Sequence, residues 1–331
     1  MINYNLPNDV ELINYTDDTW LDERRKGIGG SDVAAILGES KYSSPLKVYK
    51  DKVENIKKDL SDNVYIRKGK DLEGFVRNVH CVPYFNEIGY DVLHPQHIFV
   101  NKNYPWIRAN LDGLAVKKEN EFGFRGISET NIVIEIKWVS EWAEDAWGDE
   151  RYGGVPVHYY MQVQTYMAVT GTKKAVVFAL FDKNWEVKTY EVKRNDAVIA
   201  RIISETKKFY DYNMCMKLVP SIKASIDLEE TVEAVKTCPV PTEECEEMTS
   251  LVAEYVANSS EIKRLETENT KLKDAIIDYH IRGKCPEGRV FKVTLSTYRT
   301  RRFNTTAFKT AHPELYEQYM ADNEYTKFNI K

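Results

Sequence analysis

The stretch 132-IVIEIKWVS-140 is β-branched at Ile132, Val133, Ile134 and Ile136, the composition of a strand buried on at least one face. Two opposite charges, Glu135 and Lys137, interrupt it two residues apart. Side chains at i and i+2 of a strand share a face, so a carboxylate and an ammonium stand side by side in apolar surroundings. Burying them costs several kcal/mol unless partners offset it. Either they form a structural salt bridge, or a further group makes them part of a site.

Upstream, 107-IRANLDGLAV-116 is a second strand-like segment, interrupted at Asp112 before Gly113. A turn separates the two segments, so they can pair as antiparallel neighbours and bring Asp112 and Glu135 to one point. Hard carboxylate oxygens suit Mg²⁺, with Mn²⁺ able to substitute, and Mg²⁺ takes only one or two carboxylates besides water and phosphate. The backbone carbonyl of Ile136 would point into the same space, and Lys137 would face the water or the scissile phosphate.

Further strands are expected at 96–100, 106–110, 112–116, 175–181 and 185–192. Between the strands at 132–139 and 175–181, 157-VHYYMQVQTYMAVTG-171 reads as a helix closed by Gly171, and another helix is expected over Asp196 to Met216. Nearer the N-terminus, Gly29-Gly30 leads to Ser31, read as the N-cap of a helix through Val33 to Leu37. Helices are also expected over Ser44 to Glu54 and over Asn63 to His80, the latter carrying Glu73. The sum is an α/β fold, a mixed central sheet flanked by helices, with the core over 1–218. Three prolines mark 219–242 as a linker, and 243–331 is a separate C-terminal region.

In that region Met248, Leu251, Tyr255, Asn258, Ile262, Leu265, Asn269, Leu272, Ile276 and Tyr279 recur at spacings of three and four. This is a heptad pattern and predicts a long helix, packed on its own chain or joined in a coiled coil. A strand over 289–299 and a polar helical segment would close the chain.

The 331 residues carry a net charge of −5, yet the charge is unevenly spread. Between Arg282 and Thr310, eight basic residues, Arg299, Arg301 and Arg302 among them, face Glu287 alone. Such a stripe can hold a phosphate backbone on an acidic protein, or be a solvated face. The five cysteines show no CxxC pair and read as reduced thiols. His94 and His97 form an isolated HxxH, read as surface or strand-edge histidines rather than zinc ligands. No apolar run approaches the ~18 residues of a membrane span, and no secretory signal opens the chain, so a cytoplasmic protein with no membrane partner is expected.

Asp112, then Glu135-Ile136-Lys137, resembles the PD-(D/E)XK nuclease motif, with Leu111 where the motif's name has Pro. The ordered segments 24-RRKGIGGSDVAAILGESKYSSPLKVYKDK-52, 69-GKDLEGFVRN-78, 108-RANLDGL-114, 134-IEIKW-138 and 159-YYMQVQTYMAVTG-171 resemble the YqaJ-type viral recombinases, relatives of phage lambda exonuclease. The tail 312-HPELYEQYMADNEYTKFNIK-331 is similar to that of longer YqaJ-like proteins. The resemblance implies a restriction-endonuclease-like core with Asp112, Glu135 and the Ile136 carbonyl as metal ligands. Glu73 would support the metal, directly or through water. Lys137 would position or deprotonate the attacking water, and Gln162 would orient that water or Lys137. Gln164 lies roughly 200° further round the helix, so both glutamines cannot serve one site. Gly29-Gly30-Ser31 with Arg24 or Arg25 would grip a 5′-terminal phosphate, Arg24 being favoured by its spacing from Ser31.

The activity implied is Mg²⁺-dependent 5′→3′ degradation of one strand at double-stranded DNA ends. It would leave 3′ overhangs for a RecT-like single-strand annealing protein, from a homo-oligomer, a trimeric ring by resemblance. An endonuclease or a nuclease subunit of a repair complex is the nearest alternative. A non-hydrolytic DNA- or protein-binding module is the alternative of another class.

Overall fold

The computed structural model describes residues 4, 6–16, 18–54, 64–118, 130–237, 243–284, 293–297, 299, 301 and 303–320. The chain forms two compact units, Met1–Thr231 and Val232–Lys331.

The first unit opens with strand β1 (Val10–Asn14), helix α1 (Trp20–Arg25), the two-residue strand β2 (Ile28–Gly29) and helices α2 (Gly30–Ile36) and α3 (Pro45–Lys52). Ser44 caps α3 by accepting from the Lys47 amide at 3.1 Å, and Pro45 occupies its first turn, as the sequence predicts. Helix α4 (Val64–Val76) does not stop near His80. It runs through a π-helical turn, Arg77–Cys81, into α5 (Val82–Glu87). Pro83 has no N–H to return to the preceding turn, which is a local reason for the ladder to widen there.

Strands β3 (Tyr90–Leu93), β4 (His97–Asn101), β5 (Ile107–Arg108), β6 (Gly113–Lys117) and β7 (Ile132–Val139) follow. Helix α6 (Val157–Thr170) crosses over to β8 (Lys174–Phe181), and β9 (Glu186–Lys193) and α7 (Asp196–Phe209) complete the core. The main sheet has the order β3-β6-β7-β8-β9. All its pairings are antiparallel except β7–β8, which run parallel in register from Ile132↔Lys174 to Val139↔Phe181. A parallel pair needs a crossover, and α6 is that crossover. The mixed sheet flanked by helices is the expected fold. The pairings β1–β4 and β2–β5 lie apart from it.

Period-2 alternation along β7 divides the core. Ile132, Ile134 and Ile136 pack with Val76, Cys81 and Phe85 from the α4–α5 side. Val133 faces the opposite layer, with Val163, Tyr166 and Met167 of α6. Glu135 and Lys137 belong to that second face by the same alternation. A further layer packs α2 and α3 against α6 and α7 through Ile28, Val33, Leu46, Met161 and Ile202. Helix α6 is therefore enclosed on all sides, and Tyr160 to Thr170 are buried without exception.

The segment expected as a linker begins inside the first unit. Asp227 is fully buried, accepting from Ser44 at 2.5 Å and from the Lys223 amide at 2.7 Å. Lys50 pairs with Glu230, in helix α8 (Leu228–Thr237).

The second unit is dominated by helix α9 (Glu246–Ile281), 36 residues long. Its heptad seam is uncovered: Met248, Leu251, Tyr255, Ile262, Leu265, Leu272, Ile276 and Tyr279 are all exposed. Two short helices, α10 (Thr305–Ala311) and α11 (Pro313–Gln318), supply the expected polar helical close. Of the strand expected over 289–299, residues 293–297 and 299 carry no regular structure, and the remainder lies outside the described residues, as does Arg302. Arg299 and Arg301 are exposed. Among the described residues no helix is long and apolar enough to cross a membrane.

Candidate active site

The site lies where β6 and β7 part. Their ladder ends at Gly113↔Ile134, whereas β7 continues to Val139 beside β8 alone. Asp112 fills the resulting fork, and its Oδ2 accepts the Ile136 amide at 2.8 Å. That bond satisfies an N–H that has lost its ladder partner and fixes the Asp112 carboxylate beside Glu135 and Lys137. Gly113 eases the junction, because a Cβ there would stand 3.2 Å from the Ile134 side chain and push it aside by a few tenths of an ångström.

Glu135 is buried, and its two oxygens differ. Oε1 accepts from Gln162 Nε2 at 2.6 Å and is ion-paired with Lys137 Nζ. Oε2 is buried and has no hydrogen-bond partner. An orphaned carboxylate oxygen in a native core asks for a missing ligand, since leaving it unsatisfied is costly. Burial, with the neighbouring Asp112 carboxylate adding to it, pushes the Glu135 carboxyl up to about 8. Burial likewise raises Asp112, against the pull of Lys137. Burial alone would depress Lys137, but Glu135, Asp112 and Tyr159 outweigh it and keep the ammonium charged. Two carboxyls thus share one ammonium, and the site favours one additional cation, bound proton or metal. Lys137 Nζ also sits 4.7 Å from the centre of the Tyr159 ring, a cation–π contact.

Gln162 is anchored from behind. Its Nε2 donates to Tyr166 Oη at 2.9 Å as well as to Glu135, so both amide protons are used and the group holds the carboxylate in place. Gln164 points elsewhere: it donates to the Lys193 carbonyl at 2.7 Å and accepts the Asn195 amide at 2.9 Å, tying β9 to the start of α7. The helical geometry that separates the two glutamines is as the sequence suggests.

Glu73 reaches the fork indirectly. Arg77, one helical turn on, pairs with Glu73, and its Nε donates to the Asp112 carbonyl at 3.0 Å. The π-helical turn begins at Arg77, and turns of this kind re-aim side chains at functional sites. Among the described residues no three His, Cys, Asp or Glu side chains gather as a metal cage. A cation here would rest on Asp112 and Glu135 with backbone carbonyl and water, a donor set that suits Mg²⁺. His94 lies near Arg77 and Asp112, whereas His97 is edge-on to Tyr4.

The N-terminal motif is arranged differently from its sequence reading. Helix α2 starts at Gly30, and its N-cap is Gly29, not Ser31. The reason is Asp32, whose carboxylate reaches back from the third helical position to accept the Gly29 amide at 2.8 Å, the acidic half of a capping box. Burial works against that charge, but Lys52 at 2.9 Å and Arg24 hold the Asp32 carboxyl below its ordinary range. Ser31 instead sits in the first turn and accepts from Arg24 at 2.8 Å. Arg25 is engaged with Asp51, its NH2 nitrogen at 2.6 Å. Of the two arginines, Arg24 is the one beside Ser31.

Tyr166 joins this motif to the fork. A Cβ on Gly30 would stand 2.5 Å from the Tyr166 ring, so the glycine lets α2 press onto α6. The same ring carries the hydroxyl that accepts from Gln162. Neither Tyr166 nor Arg77 stands out in the sequence. Tyr166 is four residues from Gln162, and Arg77 four from Glu73, so helical neighbours of the candidate residues were the available signal.

An α/β core whose central strand carries Glu135 and Lys137 beside Asp112 has the arrangement that the PD-(D/E)XK motif describes. Residues 19–173 match the YqaJ-like viral recombinase domain. It is similar to the uncharacterised protein YqaJ of Bacillus subtilis, 25% identical over 325 residues that span 95% of this chain and 94% of that protein. Among solved structures, it is similar to an alkaline exonuclease from Laribacter hongkongensis, with 21% identity and a TM-score of 0.44, covering 60% of this chain and 93% of that one. The same exonuclease in complex with dAMP gives 20% and 0.46 over the same shares. A phage-related exonuclease from Haemophilus somnus gives 15% and 0.40, covering 60% of this chain and 99% of that one.

Proposed function

We propose that this chain is a Mg²⁺-dependent deoxyribonuclease that degrades linear duplex DNA from its 5′ ends and leaves 3′ single-stranded overhangs. The observation that carries the reading is the fork itself. Asp112 and Glu135 converge beside Lys137, and the buried Glu135 Oε2 has no partner. The match of residues 19–173 to the YqaJ-like viral recombinase domain supports the same chemistry.

In this reading Asp112, Glu135 and the Ile136 carbonyl hold the metal, with Glu73 contributing through Arg77 or water. When bound, the metal supplies positive charge that polarises the phosphodiester and acidifies a nearby water. Lys137 remains an ammonium and donates hydrogen bonds, orienting the attacking water and stabilising charge that grows on the phosphate oxygens. Gln162 fixes the Glu135 carboxylate, and Tyr166 fixes Gln162. Arg24 and Ser31 offer a guanidinium and a hydroxyl to the 5′-terminal phosphate, which sets the polarity. Arg299, Arg301 and Arg302 add backbone contacts. The overhang is the substrate of a RecT-like annealing protein. Self-association of the chain would cover the exposed seam of α9.

Blunt, 5′-phosphorylated linear DNA with Mg²⁺ tests the reading. Acid-soluble nucleotide should appear, released first from a 5′ label, and closed circles should survive. No release, or equal release by Asp112→Ala, would sink it, and cutting of closed circles would favour an endonuclease.

A further inference from the structure

From the Lys137 ammonium a run of rings leads outward. Tyr159 lies 4.7 Å from Nζ, His158 stands 4.1 Å from Tyr159 between ring centres, and Tyr42 meets His158 edge-on at 5.6 Å. The inner two rings are largely covered, whereas Tyr42 is 59% exposed. The Lys41 ammonium stands 5.2 Å from the Tyr42 ring. A cation therefore marks each end of the run, with aromatic faces between them. His158 adds no charge of its own near neutral pH: burial, then Lys137 and Lys41, lower it to about 4.

We propose that Tyr42, backed by His158 and Tyr159, is a stacking platform for an unpaired nucleobase of the strand whose phosphodiester occupies the Asp112–Glu135–Lys137 fork. Single-stranded nucleic acid asks for this alternation, because its phosphates seek cations and its bases seek flat π-faces. A duplex hides its base faces, so an exposed ring beside the fork fits an end that has come apart. The platform is held ready. Ser40 Oγ accepts the amides of Tyr42 and Ser43, each at 3.1 Å, and Ser44 caps the next helix, so the loop has little ordering left to undergo on binding. The proposal rests on the nuclease reading for the identity of the strand in the fork.

The test measures binding in EDTA, where no hydrolysis is needed, by fluorescence anisotropy of the full chain. The probe is a 5′-phosphorylated duplex with three unpaired 5′ nucleotides, either intact or abasic at those three positions. Removing the bases should weaken binding by the wild-type chain about tenfold or more, the scale of a lost base–aromatic stack. Tyr42→Ala should weaken binding of the intact probe to a similar degree and be indifferent to base removal. Tyr42→Phe should bind like wild type. Equal wild-type affinity for both probes overturns the platform without needing any variant, and so do additive losses in Tyr42→Ala. Hydrolysis of the same probe with Mg²⁺ separates the two readings. Hydrolysis with base-independent binding overturns the platform alone. Base-dependent binding without hydrolysis sustains the platform and sinks the nuclease reading, and no binding at all overturns both.

Discussion

Gln162 donates to Glu135 Oε1 at 2.6 Å, while Glu135 Oε2, on the same buried carboxylate, has no hydrogen-bond partner. The glutamine therefore presents one oxygen rather than neutralising the group. Replacing Glu135 by Gln keeps an acceptor for Gln162 and removes the charge that burial opposes. Hydrolysis should fall by at least ~100-fold, the scale of losing a group that holds charge at the reacting centre. The folded state should nevertheless become more stable in EDTA at pH 8. The raised Glu135 carboxyl favours its protonated form in the folded chain, so its contribution is present at low pH and lost as pH climbs from the ordinary value of 4.5 to about 8. Thermal melts of both proteins across that range, with and without Mg²⁺, check it. Loss of activity together with a lower melting temperature at pH 8 would count against the reading.

The two glutamines of α6 should separate cleanly. Gln162→Ala should cut hydrolysis by roughly 10–100-fold, as expected when an orienting partner of a ligand is removed, with a small change in stability. Gln164→Ala leaves the Lys193 carbonyl and the Asn195 amide unpaired, and should cost about 1–3 kcal/mol of stability with per-molecule activity retained. Urea titration and turnover measured on the folded fraction are the readouts. The reverse pattern would assign the site to the wrong glutamine.

Gly30→Ala tests the link between the N-terminal motif and the fork. Its new methyl would stand 2.5 Å from the Tyr166 ring, and Tyr166 is packed on both sides. Either α2 lifts or the ring turns, and overpacking of this kind costs typically 1–3 kcal/mol. If the ring turns, Gln162 loses its second acceptor and activity falls as well. Gly30→Ala with wild-type stability and turnover would show that the contact is not needed.

His158 gives the chain a second pH dependence, of opposite sense to that of Glu135. Its folded value is lowered to about 4 by burial and by Lys137 and Lys41, whereas the unfolded histidine titrates near 6.5. The unfolded chain therefore binds more protons between those values, and stability should fall as pH drops from about 6.5 to about 4, by at most a few kcal/mol. His158→Asn should flatten that part of the melting-temperature curve. An unchanged slope in the variant would mean that other groups govern the acid limb.

How much of this was legible in the sequence follows from range. Period-2 alternation put Glu135 and Lys137 on one face, and helical geometry separated Gln162 from Gln164, because both are rules of local backbone. The convergence of Asp112 on Glu135 was foreseeable once the two strands were taken as antiparallel, whereas the Ile136 amide that holds Asp112 there was not. Ser31 was misassigned as a cap because serine is a competent cap; the helix instead starts at Gly30, with Asp32 accepting the Gly29 amide while the buried Lys52 ammonium of another helix holds that carboxylate. The short pairings β1–β4 and β2–β5 were likewise hidden, since their partners lie far away in sequence. Arg77 and Tyr166 act across elements, and their place one helical turn from Glu73 and Gln162 is the one local mark they carry.

The last prediction concerns α9, whose seam is exposed along its whole length. A run of Ile262, Leu265, Leu272 and Ile276 left in water wastes the apolar burial that normally sustains a helix of this length, about 1.5–3 kcal/mol for each large side chain fully covered. Asn269 lies on the same seam, where a single amide fixes register at some cost in stability. Pairing between copies of the chain would cover these side chains, and Leu265→Asp with Leu272→Asp should oppose it by burying charge in the seam. Light scattering of the full chain should then show a smaller assembly than wild type, with the melting transition of the first unit unchanged, because none of its core residues is touched. An unchanged mass in the double variant would mean that α9 does not hold copies together, and that any assembly is built from the nuclease core.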